Sequence, residues 1–233
     1  MQIIPAKTPE FVKTIFSNFV WNINTKNKEL YLTFDDGPTP EITEWVLQTL
    51  KNYNAKATFF CIGSNIEKHP ELFQNIISES HSIGNHTYNH LKGWKHTTKN
   101  YIEDTEKTQR LLNSTFQKLN SKKENAPIDN WDLKLFRPPY GKLKTKQSKQ
   151  LQELGYKIIM WDVLSYDWDA SVSEETCFNG ITSSAKEGSI IVFHDSVKAS
   201  RNLKYVLPRV LEYYSERNYV FKCLDTLPFE KHA

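Results

Sequence analysis

The 233 residues suffice for one sizeable domain with a substantial core. The net charge of +3 is mild, and the longest basic cluster, residues 142–149, is interrupted by Leu, Thr, Gln and Ser, which excludes the electrostatic footprint of a nucleic-acid binder. No apolar run approaches a membrane span, and three cysteines (Cys61, Cys177 and Cys223) form neither a disulfide framework nor a metal-type pairing.

Six Trp leave rings for a sugar or base platform as well as for the core. Cys61 and Cys223 sit in apolar runs and are expected to be small buried hydrophobes. The start of the chain lacks a basic segment followed by a long apolar run and a small-residue cleavage site, which leaves a cytoplasmic protein and an exported one both open. A monomer is expected.

Thr8 and Pro9 read as N-cap and first position of a helix whose face carries Phe11, Val12, Ile15, Phe16, Phe19 and Val20. With Lys13 as its only basic residue, this helix is expected to cover an open side or end of the domain rather than lie in a membrane surface. Residues 1–27 thus form an N-terminal extension to a domain spanning 28–233. Residues 30–35 are a β-prone run that stops at Asp35-Asp36-Gly37-Pro38. Thr39-Pro40 then caps a helix with Ile42, Val46, Leu47 and Leu50 on one face. Residues 57–62 form a buried strand, Pro70 opens a helix through Ile77, and 81–85 is a weak strand running into His86.

A longer helix carries Ile102, Thr105, Leu112, Phe116 and Leu119, and the polar stretch 121–130 is a surface loop. Residues 133–136 are a strand leading into Arg137-Pro138-Pro139-Tyr140-Gly141. A helix over 145–154 is closed by Gly155. Strands at 156–163 and 189–193 flank another helix; a final helix with Leu203, Val206, Leu207, Val210, Leu211 and Tyr214 precedes a strand at 219–223. The alternation predicts an α/β fold with mostly parallel strands, a distorted (β/α)7-type barrel.

Polar residues collect at the carboxyl ends of different strands: Asp35 and Asp36, His86 and His90, Arg137 and Tyr140, Asp167 and Trp168, His194 and Asp195. In a barrel these share one mouth. His86 and His90 can present two imidazoles to one ion, and an Asp from another strand would complete a three-ligand site with an open position. One of the paired acids would then be the ligand and its neighbour a general base. Alone, the Asp-Asp-Gly-Pro stretch reads as a polar turn, Arg137 as a surface cation and His194 as a core histidine.

Together the motifs spell out a family. Thr-Phe-Asp-Asp-Gly-Pro at 33–38, His-Thr-Tyr-Asn-His at 86–90, Arg-Pro-Pro-Tyr-Gly at 137–141, Asp-Trp at 167–168 and Val-Phe-His at 192–194 occur in order. The chain resembles the polysaccharide deacetylases of carbohydrate esterase family 4, the NodB-homology domain, over about residues 28 to 222. The resemblance implies that Asp36, His86 and His90 bind a divalent ion, zinc first, with cobalt or another ion as alternatives. It implies Asp35 as general base, braced by Arg137, and His194 as general acid, oriented by Asp167. It further implies an oxyanion contact from the Tyr140 backbone N–H. Trp168 and Val192 would line the acetyl pocket, with Tyr140, Pro138 and Pro139 also at the substrate.

Leu164 stands where the family pattern commonly has Asp, and Val192 where it commonly has Leu. The implied activity is hydrolysis of N-acetyl groups on N-acetylglucosamine-containing glycans, chitin oligomers or peptidoglycan-like polymers. The alternatives are an O-acetyl esterase on xylan-type polysaccharide and a catalytically inactive glycan-binding module.

Overall fold

The computed structural model describes residues 6–121 and 134–224. Its sheet is parallel throughout, in the spatial order β5-β4-β3-β2-β1-β7-β6. These strands are β1 (Glu29–Asp35), β2 (Ala57–Cys61), β3 (Ser82–Asn85), β4 (Leu135–Phe136), β5 (Lys157–Ile158), β6 (Val163–Leu164) and β7 (Ile190–His194). A last strand, β8 (Val220–Phe221), pairs with the start of β1. Helices α1 (Glu10–Ile15), α2 (Ile42–Asn52), α3 (Gly63–Lys68), α4 (Pro70–Ser78), α5 (Thr98–Ser121), α6 (Thr145–Glu153), α7 (Glu174–Ser184) and α8 (Ser200–Ser215) complete it. The sheet curls into a half-barrel, as the alternation of strands and helices predicts. Among the described residues no helix is long and apolar enough to cross a membrane.

β1 sits at the centre because both of its faces are buried, which is why it reads as a nearly continuous apolar run. Leu30, Leu32 and Phe34 face the helices, with Phe34 stacked between Phe59 and Phe193 of the neighbouring strands. The alternate residues line the inside of the curl: Tyr31 packs there with Phe60, Leu135, Ile159, Ile190 and Leu224. Two residues on in each case, Thr33 and Asp35 continue the inward series. All three cysteines are buried and none takes part in a disulfide.

Several local expectations are corrected. Pro9, not Thr8, is the N-cap of α1, and the Thr8 hydroxyl instead donates to Trp161 O at 2.8 Å. No residue of α1 is fully buried: Val12 packs half-buried against the core, while Phe11, Ile15 and Phe16 remain exposed. α2 starts at Ile42 with Glu41 as N-cap, later than Thr39-Pro40. The strand expected over 156–163 is two short ones, β5 and β6, separated by a turn. α3 was not foreseen, since only Gly63 and Ile66 of its residues are buried and it shows no apolar stripe. Of the loop expected at 121–130, Ser121 closes α5 and the rest lies outside the described residues, as does the start of the strand expected at 133.

The segment before β1 runs along the seam between the edge strands β5 and β6. Val20 bridges Ile159, its N–H donating to Ile158 O and its carbonyl accepting from Met160 N. Lys7 bridges Val163, and Asn22 bridges Ser189. A buried ion pair anchors it: Asp162, 1% exposed, accepts from Lys13 Nζ at 2.5 Å and from Ser189 Oγ at 2.5 Å, with Lys7 Nζ at 3.4 Å. Burial alone would raise the Asp162 carboxyl, but the bonds from Lys13 and Ser189 outweigh it and hold it below its ordinary 3.8. Its contribution is therefore present above that value and lost as the pH falls through the depressed one. Asp162→Ala leaves the half-buried Lys13 with Glu10 alone and the Ser189 hydroxyl without its acceptor, and is expected to lower the unfolding free energy by about 1 to 3 kcal/mol at neutral pH, read by urea denaturation.

Candidate active site

The mouth of the half-barrel lies at the carboxyl ends of β1, β3, β4 and β7, where the chain leaves each strand. Asp35 ends β1 on its inward face. Asp36 follows with φ of 82°, a left-handed turn that brings the adjacent carboxylate to the same mouth. Asn65 of α3 donates to Asp36 O at 2.8 Å and pins that turn. His86 and His90 come from the loop after β3, where Thr87 and His90 are also left-handed, so the pair sits on a tight loop rather than a helix.

Asp36 Oδ1 lies 3.1 Å from His90 Nε2 and 3.6 Å from His86 Nε2, and the three ligand atoms fall within 4.8 Å of one another. Those separations bracket about 3.4 Å, the edge of a tetrahedron with bonds of about 2.1 Å. The His86 Nδ1–H donates to Arg137 O at 2.7 Å, which fixes the tautomer and leaves Nε2 as a lone pair facing Asp36. Burial pushes His86 down to about 4, so it is neutral, as a ligand must be. Burial works to raise the Asp36 carboxyl, yet the His90 hydrogen bond and the positive charge of His194 hold it well below the usual range. Two neutral-capable imidazoles and one ionised carboxylate are a donor set that fits zinc or a similar divalent ion.

Arg137 crosses the inside of the curl fully buried. Its Nη1 donates to Asp35 Oδ1 and to Thr33 Oγ1, both at 2.7 Å, its Nε to Ile159 O and its Nη2 to Met160 O. The guanidinium lies 4.1 Å from the Phe60 ring centre. Four of five donors engaged in this way leave Asp35 one fixed orientation.

Opposite stands His194 at the end of β7. Asp167 Oδ1 accepts from its Nδ1 at 2.8 Å and Oδ2 from its backbone N–H at 2.8 Å, so Nε2 is the free ring nitrogen. Burial alone would lower this imidazole; Asp167, with Asp36 and Asp35, outweighs it and raises the value to about 9. Trp168 lies with its ring 4.8 Å from His194. Val192, buried, is two residues before His194 and shares its inward face. Tyr140 is 58% exposed, its ring 4.7 Å from that of His90. With φ of 59°, its backbone N–H donates to no other described residue. Pro138 and Pro139, both buried, form the stem beneath it.

The structure thus brings Asp36, His86, His90 and Tyr140 into one contacting group and His194, Asp167 and Trp168 into another, with Arg137 against Asp35. It also shows residues that sequence reasoning left without a role. Asp104 of α5 accepts from Tyr88 N, Asn89 N and Asn89 Nδ2 and so holds the loop carrying both histidines. An acid beside the buried positions Tyr101 and Thr105 was its only signal. Asp195 is fully buried and accepts from Gly37 N at 3.0 Å and from Thr43 Oγ1 at 2.6 Å. A Cβ on Gly37 would stand 1.9 Å from Asp195 Oδ2, so the turn after the two acids needs glycine to dock there. Burial pushes the Asp195 carboxyl up to about 8 against those two bonds.

The family model of the polysaccharide deacetylases matches residues 22–159. A peptidoglycan-N-acetylglucosamine deacetylase of Bacillus cereus is 37% identical over 168 residues, covering 72% of this chain and 56% of that relative. The chain therefore spans just over half of that protein's length. A second Bacillus cereus protein of the same name is 31% identical over 214 residues, with 91% and 93% covered. Among solved structures, a peptidoglycan N-acetylglucosamine deacetylase in complex with an N-oxidanyl-benzamide superposes with a TM-score of 0.79 at 31% identity, covering 93% and 95%. Fold, motif order and family match agree: the chain belongs to the polysaccharide deacetylases, the NodB-homology domain of carbohydrate esterase family 4.

Proposed function

We propose that the protein is a zinc-dependent deacetylase that removes N-acetyl groups from N-acetylglucosamine residues of a peptidoglycan-type glycan. The observation that carries this reading is the division of labour among three acids and three histidines. One carboxylate joins two imidazoles as a ligand set. Its neighbour is tied to a buried arginine, and the third histidine is backed by its own carboxylate on the opposite side.

Asp36, His86 and His90 would hold the ion, which supplies Lewis-acid polarisation of the acetyl carbonyl and makes a nearby water more acidic. Asp35, its orientation fixed by Arg137, takes the proton of the attacking water. The oxyanion that develops receives the free Tyr140 N–H. His194 then gives its Nε2 proton to the leaving amine, a step amide cleavage needs because an amide anion leaves poorly. Trp168 and Val192 bound the space for the acetyl methyl. Acetate and a glucosamine amine result.

The acid role of His194 fixes a pH dependence. The imidazole works in its protonated form, so activity falls as the pH rises through its value. Asp167→Asn removes the charge that raises that value, and the alkaline limb of kcat/KM is expected to move down by about 1 to 3 pH units. An unmoved limb would sink the assignment. The activity itself is tested by acetate release from N-acetylated oligosaccharides and from acetyl-xylan with zinc supplied. Release from the former supports the reading, and release from acetyl-xylan alone would favour an O-acetyl esterase.

A further inference from the structure

Two large aromatic side chains stand exposed on the loops that follow His90 and Arg137 in the chain: Tyr140 at 58% and Trp94 at 56%. Neither is loosely placed. The Trp94 indole N–H donates to Leu143 O at 3.1 Å, and the Tyr140 ring lies against His90. The loop carrying Trp94 is clasped to the loop after Tyr140: Gln147 Nε2 donates to Gly93 O at 2.9 Å and Lys144 Nζ to His96 O at 2.6 Å. A Cβ on Gly93 would stand 2.5 Å from Lys142 O, so the two backbones meet at contact distance. Leu143 is three residues from Tyr140, which puts the anchor of Trp94 within about 11 Å of it along the chain.

Both rings carry an ammonium. Lys92 Nζ lies 5.5 Å from the Tyr140 ring centre, and Lys142 Nζ lies 4.5 Å from that of Trp94. Residues 91–97 and 140–147 contain five lysines and no acid. A rigid aromatic floor suits the apolar face of a pyranose ring, and paired ammonium groups suit a carboxylate on that sugar. Neutral chitin-type chains offer the first feature but not the second.

Resting on the deacetylase reading above, we propose that Trp94, Lys92 and Lys142 form a subsite, continuous with Tyr140, for the sugar next to the reacting N-acetylglucosamine. Its preferred occupant is an N-acetylated sugar bearing an ether-linked carboxylate, so that the protein selects anionic peptidoglycan-type strands over neutral ones. The subsite reads the neighbour, while the motif residues act on the acetyl group.

The test is binding to the zinc-loaded full chain, measured by calorimetry at low salt, and so does not depend on acetate release. The ligands are a tetrasaccharide alternating N-acetylglucosamine and N-acetylmuramic acid, and chitotetraose. The wild type is expected to bind the anionic tetrasaccharide about tenfold tighter, and the double variant Lys92→Gln, Lys142→Gln to lose that preference. Trp94→Ala is expected to weaken both ligands. Equal wild-type affinities, or a double variant that keeps the preference, would overturn the subsite. If acetate release fails while the binding preference holds, the deacetylase reading falls and the subsite stands.

Discussion

Asp35→Asn is expected to lower kcat by about 10²- to 10⁴-fold, the range lost when a general base is removed, while the protein still retains its metal ion. The carboxylate accepts from Arg137 at 2.7 Å and is not among the ligand atoms facing His86 and His90. An amide oxygen in its place still accepts from Arg137 but takes no proton from water. The substitution also leaves a fully buried guanidinium without its counter-charge, so a fall in stability of about 3 kcal/mol accompanies it. Turnover is therefore compared at a temperature where denaturation curves show both proteins folded. Metal content by elemental analysis separates the two acids: Asp35→Asn keeps the ion, whereas Asp36→Asn loses it. Near-normal turnover in Asp35→Asn would remove this residue from the chemistry.

His90→Ala is expected to abolish both metal retention and acetate release. His90 is the cleaner of the two histidines to remove, because it is partly exposed and its ring nitrogen meets Asp36 rather than the backbone. His86 is buried and also donates to Arg137 O, so His86→Ala adds an unsatisfied carbonyl and a small cavity, costing about 1 to 3 kcal/mol of stability. The pair of variants should thus agree in metal content and differ in unfolding midpoint. A His90→Ala protein that binds zinc as tightly as the wild type would contradict the ligand set.

The legible parts of this fold are those where a single physical constraint acts on consecutive residues. β1, β2 and β7 are buried on both faces, so they appear as apolar runs. The long helices show because one face must be apolar. By contrast β5 and β6 are two residues each, too short to express a period, and run together in the sequence as one apolar stretch. The exposed apolar residues of α1 mimic a buried stripe that the tertiary structure does not use. Instead the segment is fixed by backbone bridges and by Asp162, neither of which leaves a pattern in sequence.

The site divides in the same way. Asp35, Asp36, His86, His90, Arg137 and His194 stand out because each is a titratable or charged side chain at or just beyond the end of a strand. Asn65, Asp104 and Asp195 act by gripping backbone N–H and C=O groups of the loops that carry the motif residues. Their partners are distant in sequence, and any residue offers the backbone group they bind, so nothing at the partner position marks them. The exposure of Trp94 and Tyr140 is likewise visible only once the two loops are seen clasped together.

The metal's role is tested most directly by acetate release from an N-acetylated peptidoglycan oligosaccharide, measured with the metal-stripped protein and again after one equivalent of zinc is restored. No release is expected from the stripped protein, release on zinc addition, and none from zinc-treated His90→Ala. Release that is unchanged by stripping the metal, or its absence from the zinc-loaded wild type across N-acetylated glycans, would contradict it.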